Sequence, residues 1–153
     1  MNIRRADLND LDIICELNNQ LFKLEKDNYD STIIDDWPLT NEGKEYFKDL
    51  ITNHYVIVAS LNDKVVGYLA GSIKEKGTYE LIQYSEINNM LVMEEYRGTG
   101  IGKKLIDNFI EYSKSQNINN IKVVASFKNK DAINFYHNNG FEDFDLTLTK
   151  NIK

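Results

Sequence analysis

A glycine-rich segment near the middle of the chain has the residue types and spacing of an anion-binding turn. Glycines alternate at Gly98, Gly100 and Gly102, between an apolar run and a stretch with helical periodicity. Glycine permits positive φ angles and close approach of a ligand to the backbone, and the first turn of a helix presents unpaired N–H groups and a partial positive charge. With Arg97 and Lys103 flanking it, the segment predicts a phosphate-binding turn.

Two common phosphate-binding motifs do not fit this spacing. A dinucleotide-binding fingerprint needs G-x-G-x-x-G, but Lys103 stands where the third glycine is required. A Walker A loop needs G-x-x-x-x-G-K-[ST], but Arg97 and Lys104 occupy the positions of its first glycine and its hydroxyl residue. The turn therefore indicates another class of phosphate-binding protein.

The elements that position this turn can be read from hydrophobic periodicity. Spacings of three and four residues predict amphipathic helices over residues 13–22, 46–51 and 101–110, and a short helix from Asn129 or Asp131 to Gly140. Residues 25–38 read as acidic and irregular. Strands are predicted at residues 3–6, 55–61, 65–73, 79–93 (interrupted), 121–126 and 141–148. The order β-α-α-β-β-β-α-β-α-β predicts a mixed α/β fold, with helices on both faces of one sheet.

Composition limits the class of protein. A chain of 153 residues with 42% apolar and 27% charged residues fits one globular domain. The net charge of −6 argues against a general nucleic-acid binder, and no apolar run has the length of a membrane span. Cys15 is the only cysteine, which suits a reducing compartment, and no signal peptide is recognisable, so a cytoplasmic protein is expected.

Two motifs resemble those of the GCN5-related N-acetyltransferase (GNAT) superfamily. Arg97-x-x-Gly100-x-Gly102 is similar to the family's acyl-CoA pyrophosphate loop, and residues 92–98 are similar to the strand end before it. Residues 129–141, N-x-x-A-I-x-F-Y-x-x-x-G-F, resemble a second family segment. The resemblance implies one acyl-CoA N-acyltransferase domain over residues 1–153. Its expected sheet is mixed and mostly antiparallel, with six to seven strands, about four flanking helices and a splay between strands 4 and 5.

The resemblance also implies acetyl-CoA as co-substrate and assigns residues to it. In the family an amine attacks the thioester directly, and a backbone amide stabilises the resulting oxyanion. The phosphates are expected over the turn, and the pantetheine arm along the splayed strand and the last helix. The implied cofactor-binding residues are Leu91, Val92, Met93, Arg97, Gly98, Thr99, Gly100, Ile101, Gly102, Lys103, Asn129, Ala132 and Phe135. No residue cluster has metal-ligand spacing, so no metal is expected.

Two residues are implied as catalytic. Tyr136 matches the family's general acid, which protonates the leaving thiolate, although an ordinary packing role is the alternative. Glu86 is the leading candidate for the base that deprotonates the amine, with Asn88 on its face at period two and Glu80 as a second candidate. The alternative for Glu86 is a solvated residue, or one that only binds the substrate cation.

The acceptor side is expected at the first two helices, where the chain is acidic. Residues 1–89 hold 16 acidic and 9 basic side chains, whereas residues 90–153 hold 8 and 9. Acidic clefts concentrate cations, so a small cationic amine is the expected acceptor, with Phe22, Tyr29 and Trp37 as candidate lining residues. A solvated acidic loop, a protein N-terminal or lysine acetyltransferase and a non-catalytic acyl-CoA sensor remain as alternatives. The acidic residues on this side are Glu25, Asp27, Asp30, Asp35 and Asp36.

A homodimer through the last strands is compatible with the alternation of residues 141–148.

Overall fold

Alternating apolar residues in the first two thirds of the chain build most of a five-stranded sheet. The computed structural model describes residues 1–153. The strands are β1 (Asn2–Arg5), β2 (Tyr55–Leu61), β3 (Lys64–Ile73), β4 (Ser85–Val92) and β5 (Ile121–Val123). They lie side by side in sequence order, antiparallel from β1 to β4. β5 is parallel to β4 because a helical crossover connects the two strands.

Four α-helices cover the two faces of this sheet. They are α1 (Leu11–Asn28), α2 (Asn41–Asn53), α3 (Ile101–Ser115) and α4 (Lys130–Asn138). Single 3-10 turns lie at Leu8–Asp10, Trp37–Leu39 and Glu94–Tyr96. One apolar core lies between the sheet and α1 with α2, around Phe47 and Tyr68. A second core lies on the opposite face against α3, around Leu69 and Phe109, and α4 packs at its border.

Polar contacts hold α1 in place along its whole length. At its start, the Arg4 guanidinium donates two hydrogen bonds of 2.7 and 2.9 Å to the buried Asp10 carboxylate, which holds the pKa of Asp10 below its usual value. In the middle, the Asn18 amide donates to the Tyr68 hydroxyl at 2.8 Å inside the core. Near its end, Lys26 pairs with Asp35 at 2.5 Å. α1 is therefore joined to the sheet at its middle and to the segment before α2 near its end.

The pairing of β4 with its two neighbouring strands is irregular at two places. β3 pairs Gly71 with Ile87 but Ala70 with Asn89, so that Asn88 is the extra residue of a β-bulge. The pairing of β4 with β5 ends at Ile87 and Val123. Beyond that point β4 has no strand neighbour on this side, which is the splay expected between strands 4 and 5.

The mixed α/β class is confirmed, but the expected number of strands was too high. The sheet has five strands instead of six to seven, and residues 141–153 form no strand. Their apolar alternation indicates the capacity to form a strand, but a strand also needs a neighbouring strand to pair with. The only free edge nearby is β5, which is three residues long.

Three predicted boundaries were also wrong. α1 continues to Asn28, so that residues 25–28 are helical instead of irregular. β4 begins at Ser85 instead of residue 79, and β5 ends at Val123 instead of residue 126. The last two differences have one cause, since a β-like sequence is a strand only where a neighbour provides hydrogen bonds.

Gly43 provides a test of how α2 is packed against the turn that carries Trp37. A Cβ atom at Gly43 would lie 2.1 Å from the Trp37 carbonyl oxygen and 2.7 Å from the Pro38 Cα. We expect Gly43→Ala to lower the free energy of unfolding by about 1–3 kcal/mol, since overpacking outweighs the helix propensity that alanine gains. Urea denaturation would measure this, with the exposed Glu42→Ala as control. A Gly43→Ala protein as stable as the wild type would contradict this packing.

Candidate active site

The glycine-rich turn leads directly into α3 and leaves its backbone donors free. Gly98 and Gly100 have φ angles of +75° and +86°, which glycine adopts without strain. The backbone N–H groups from Gly98 to Lys103 donate to no other group of the protein, and Gly100 provides no side-chain cap. Together with the positive end of the helix dipole, these donors form a site suited to phosphate.

Arg97 and Lys103 flank these donors in different ways. The Arg97 Nε donates to the Val92 carbonyl at 2.9 Å, so the side chain joins the turn to the end of β4 and leaves its other guanidinium N–H groups available. The Lys103 Nζ lies 2.8 Å from Asp107 in an exposed ion pair. Such a pair contributes little stability, so Lys103 can exchange Asp107 for an anionic ligand at low cost.

The start of α3 packs directly against α4. A Cβ atom at Gly102 would lie 2.9 Å from the Phe135 ring, so the absence of a side chain at this position lets the two helices approach. The Asn129 side chain accepts a hydrogen bond from the Ala132 N–H at 3.0 Å and caps α4, as the sequence predicted. The glycine-rich turn of residues 97–103 is the phosphate-type turn. This turn and α4 therefore form one packed unit.

The opening between β4 and β5 is a cavity of about 210 Å³. Of the residues predicted from the sequence, Asn129, Ala132 and Tyr136 lie on its wall. The opposite wall comes from the last turns of α1, with Leu21, Phe22 and Glu25, and the remaining lining residues belong to β4 and to β5 with the segment after it. The structure thus brings α4 and the acidic end of α1 to the same opening. The β4 and β5 lining residues are Ile87, Asn88, Asn89, Met90, Val123, Val124 and Ala125.

Tyr136 is packed so that its hydroxyl keeps its proton. Its ring contacts Phe135 and Phe141 edge-on, with centroid distances of 5.4 Å to each. Burial, together with the negative charge of Glu25, raises the pKa of Tyr136 to about 12. At neutral pH the group is therefore a protonated hydroxyl that can donate a proton into the cavity.

Glu86 does not line this cavity. Its side chain is half-buried, lies 3.6 Å from the Lys74 Nζ and faces a separate groove of about 280 Å³ that includes Tyr84 and Lys122. The structure therefore places Glu86 and Tyr136 in different concavities.

The β-bulge brings Asn89 to the face of β4 that carries Glu86. Ser72 lies opposite Glu86 and Ala70 lies opposite Asn89, and directly paired residues project from the same face. Since Ser72 and Ala70 are two residues apart, Glu86 and Asn89 point toward α1 and α2. A bulge shifts the alternation by one residue, which a period-two reading of the sequence does not reveal.

The acceptor side contains a row of aromatic rings and places one carboxylate on the cavity wall. Phe22 stacks on Trp37 with centroids 6.3 Å apart, and Trp37 contacts Tyr46 at 5.5 Å, whereas Tyr29 does not line the cavity. The predicted acidic residues separate into distinct roles. Asp35 pairs with Lys26, and the Asp30 carboxylate accepts from the Thr32 N–H and hydroxyl. Asp27 and Asp36 do not line the cavity. Glu25 alone among them does.

Asn89 is the polar cavity residue that sequence reasoning missed. The signal for it was the pair Asn88-Asn89 inside a strand, since asparagine is disfavoured in strands and two in succession require a reason. Glu25 was identified only as one member of an acidic segment, because the continuation of α1 to Asn28 could not be seen.

Comparison with known proteins assigns the chain to a family. Residues 16–141 match the Acetyltransferase (GNAT) family. The chain belongs to this family. This GNAT protein is 30% identical over 140 residues to an uncharacterized N-acetyltransferase of Archaeoglobus fulgidus, and the match covers 89% of each chain.

Solved structures show the same fold. A tetramutant of the BH1408 protein from Bacillus halodurans is 22% identical, with a TM-score of 0.90 over 99% of this chain and 100% of that chain. An aminoglycoside N-acetyltransferase in complex with CoA is 15% identical, with a TM-score of 0.74 over 99% of each chain. The resemblance inferred from the two motifs is therefore confirmed.

The family assignment identifies the chain as an acetyltransferase enzyme with acetyl-CoA as co-substrate. The structure fits this co-substrate at two points: a row of free backbone donors at a helix start suits phosphate, and an unpaired strand edge beside a cavity suits an extended amide chain. No helix of this GNAT protein combines the length and apolar character that crossing a membrane requires.

Proposed function

We propose that this GNAT enzyme transfers the acetyl group of acetyl-CoA directly to a small cationic primary amine, as one domain over residues 1–153. The observation that carries the proposal is the cavity at the splay of β4 and β5. It joins a protonated tyrosine, Tyr136, to a carboxylate, Glu25, next to the phosphate-type turn. Those groups supply a proton donor and a cation-binding charge at one opening.

The co-substrate is held mainly by backbone in this proposal. The N–H groups of residues 98–103 bind the phosphates, with Arg97 and Lys103 adding charge. Leu91, Val92 and Met93 present the backbone edge that pairs with the pantetheine amides, and an N–H of this edge stabilises the oxyanion. Their side chains are in the apolar cores, so they fix the position of that edge. Asn129, Ala132 and Phe135 shape the other wall.

Two proton transfers complete the reaction. An alkylammonium has a pKa of about 10.4 and must lose a proton before it can attack. We assign this step to Glu86, whose carboxylate faces α1 and α2. It lies close enough to Tyr46 for its charge to raise the pKa of that tyrosine further, beyond the increase caused by burial. Tyr136 then protonates the leaving thiolate. Because Glu86 does not line the cavity, the proposal has it deprotonate the amine through a bridging water molecule.

The acceptor class is supported by charge, by shape and by the family neighbours. The acidic residues are concentrated in the first part of the chain, and Glu25 brings one of them into the cavity. The rings of Phe22, Trp37 and Tyr46 provide faces for the body of a small molecule. Similar structures include aminoglycoside N-acetyltransferases.

The proposal is tested by measuring thiol release from acetyl-CoA with a panel of acceptors. The panel contains spermidine, kanamycin, tyramine, glutamate and a peptide with a free N-terminus and one lysine. We expect turnover with at least one cationic small amine, and less with glutamate. Turnover with the peptide alone would make the enzyme a protein acetyltransferase instead. CoA binding without any turnover would make the protein an acyl-CoA sensor.

Removal of the Tyr136 hydroxyl tests its role as general acid. We expect Tyr136→Phe to lower kcat about 100-fold, because general acid catalysis contributes roughly that factor, and to leave the KM for acetyl-CoA nearly unchanged. Since the pKa of Tyr136 is raised to about 12, this group should cause no loss of activity as pH rises toward 10. Tyr112→Phe is the control, because this tyrosine stacks on Tyr55 away from the cavity. A folded Tyr136→Phe enzyme with unchanged kcat would restrict Tyr136 to packing.

We also propose that two copies associate through residues 141–153. Phe144, Leu146 and Leu148 alternate along this segment and are 71%, 63% and 82% exposed. β5 beside them has no strand on its outer edge, and such edges favour pairing with another chain. Light scattering should therefore give twice the mass of the chain, and Leu146→Lys should give the monomer mass, whereas Leu8→Lys should leave the dimer intact. A monomeric wild-type protein would disprove the association.

A further inference from the structure

The open edge of β4 presents the backbone groups of two residues, Met90 and Val92. The Met93 N–H donates to the Val66 carbonyl of β3 at 2.9 Å, and Val92 lies opposite Gly67. In an antiparallel pair, successive residues direct their N–H and C=O groups alternately toward the partner strand and away from it. Since Met93 faces β3, the N–H and C=O of Val92 face away from β3, and the same alternation places those of Met90 with them. On that side the pairing with β5 has already ended.

One of these edge groups already has a partner within the protein. The Arg97 Nε donates to the Val92 carbonyl oxygen at 2.9 Å, in a partly buried contact. The register leaves the N–H groups of Met90 and Val92 without a strand partner. The Arg97 contact satisfies an acceptor that would otherwise be unpaired at the end of the strand. It therefore fixes the backbone of Val92, whose N–H faces the same edge.

The same arginine is the first residue of the phosphate-type turn. It directly precedes Gly98, and the free backbone donors of the turn follow it as far as Lys103. The Nε is the only nitrogen of the Arg97 side chain with a protein partner. A guanidinium is a rigid planar fork, so a phosphate held by a terminal nitrogen also fixes the direction of the Nε–H. One side chain can thus contact both the phosphate and the edge of β4.

No other side chain of the turn is bonded to β4. The Thr99 hydroxyl donates to the Tyr96 carbonyl, and Lys103 pairs with Asp107 on its own helix. A Cβ atom at Gly98 or Gly100 would have open space around it, so these residues do not pack against the strand. Among side chains, Arg97 is therefore the direct link between the turn and the strand end.

We infer that Arg97 is a positioning residue that couples phosphate binding at the turn to the alignment of the Val92 N–H at the thioester. The inference rests on the proposed function and makes it more specific. The thioester oxygen gains negative charge when the amine adds and loses it when the thiolate leaves, and an aligned N–H stabilises that charge. Binding energy from the remote phosphates then lowers the barrier at the reacting bond. A lysine would attract phosphate by its charge, but its ammonium lacks the fork that holds both groups.

The kinetic test divides the co-substrate into two parts, using the best amine from the acceptor panel. S-acetylpantetheine carries the thioester without the diphosphate, and ADP carries a diphosphate without the thioester. We expect saturating ADP to raise the kcat for S-acetylpantetheine about tenfold in the wild type, the effect of one well-aligned hydrogen bond. In Arg97→Lys this stimulation should disappear. The kcat for acetyl-CoA should fall by a similar factor, whereas its KM should change little because the charge is kept.

Two lysine variants serve as comparisons for the arginine variant. Lys103→Gln removes a phosphate-binding charge that has no contact with β4, so it should raise the KM for acetyl-CoA and keep the stimulation by ADP. Lys104→Gln is the matched control, because it removes a neighbouring exposed charge outside the site. Stimulation by ADP that persists in a folded Arg97→Lys enzyme, or that is absent from the wild type, would overturn the inference.

A binding measurement separates this inference from the proposed function. ADP alone should shift the backbone amide NMR signals of residues 98–103 in both proteins, but that of Val92 only in the wild type. Such a difference without any acetyl transfer would support the coupling while refuting the transferase activity toward amines. Acetyl transfer with a Val92 signal that ADP shifts in neither protein, or equally in both, would refute the coupling and leave the transferase activity standing.

Discussion

The early end of the pairing between β4 and β5 is the constraint on which the site depends. Had the ladder continued past Ile87 and Val123, hydrogen bonds between strands would have satisfied the β4 edge, and no cavity would separate the strands. Because the pairing stops there, the edge of β4 is available to a ligand, and the space between the strands is lined by α1 and α4. The same separation shortens β5 and leaves residues 141–153 beside a strand of only three residues, with which they do not pair.

The two ends of the opening have opposite chemical character. At one end, residues 98–100 and the start of α3 present backbone donors that no protein group uses. At the other, the end of α1 places the Glu25 carboxylate on the cavity wall without a protein partner. Free backbone donors favour an anionic ligand, and an unpaired carboxylate favours a cationic one. This polarity orders an anionic co-substrate and a cationic acceptor along one opening.

Much of this arrangement could be predicted from local sequence. The glycine spacing located the turn, because positive φ at Gly98 and Gly100 is a property of the residue type. The capping role of Asn129 followed in the same way, since a cap needs only its own helix. Less local features were predicted less well. The strand expected over residues 141–148 did not form, and the bulge in β4 was not predicted, because pairing and bulges depend on a neighbouring strand.

The sequence by itself therefore determined the family, the phosphate-type turn, the helices with their caps and the acidic character of the first half. These depend on residue type and on spacings within one element. Tertiary structure alone decided which acidic residue is available to a ligand. Asp30 and Asp35 are engaged by Thr32 and Lys26, whereas Glu25 lies in the cavity without a partner. The physical reason is that charge is a property of composition, but the lack of a partner depends on which elements meet.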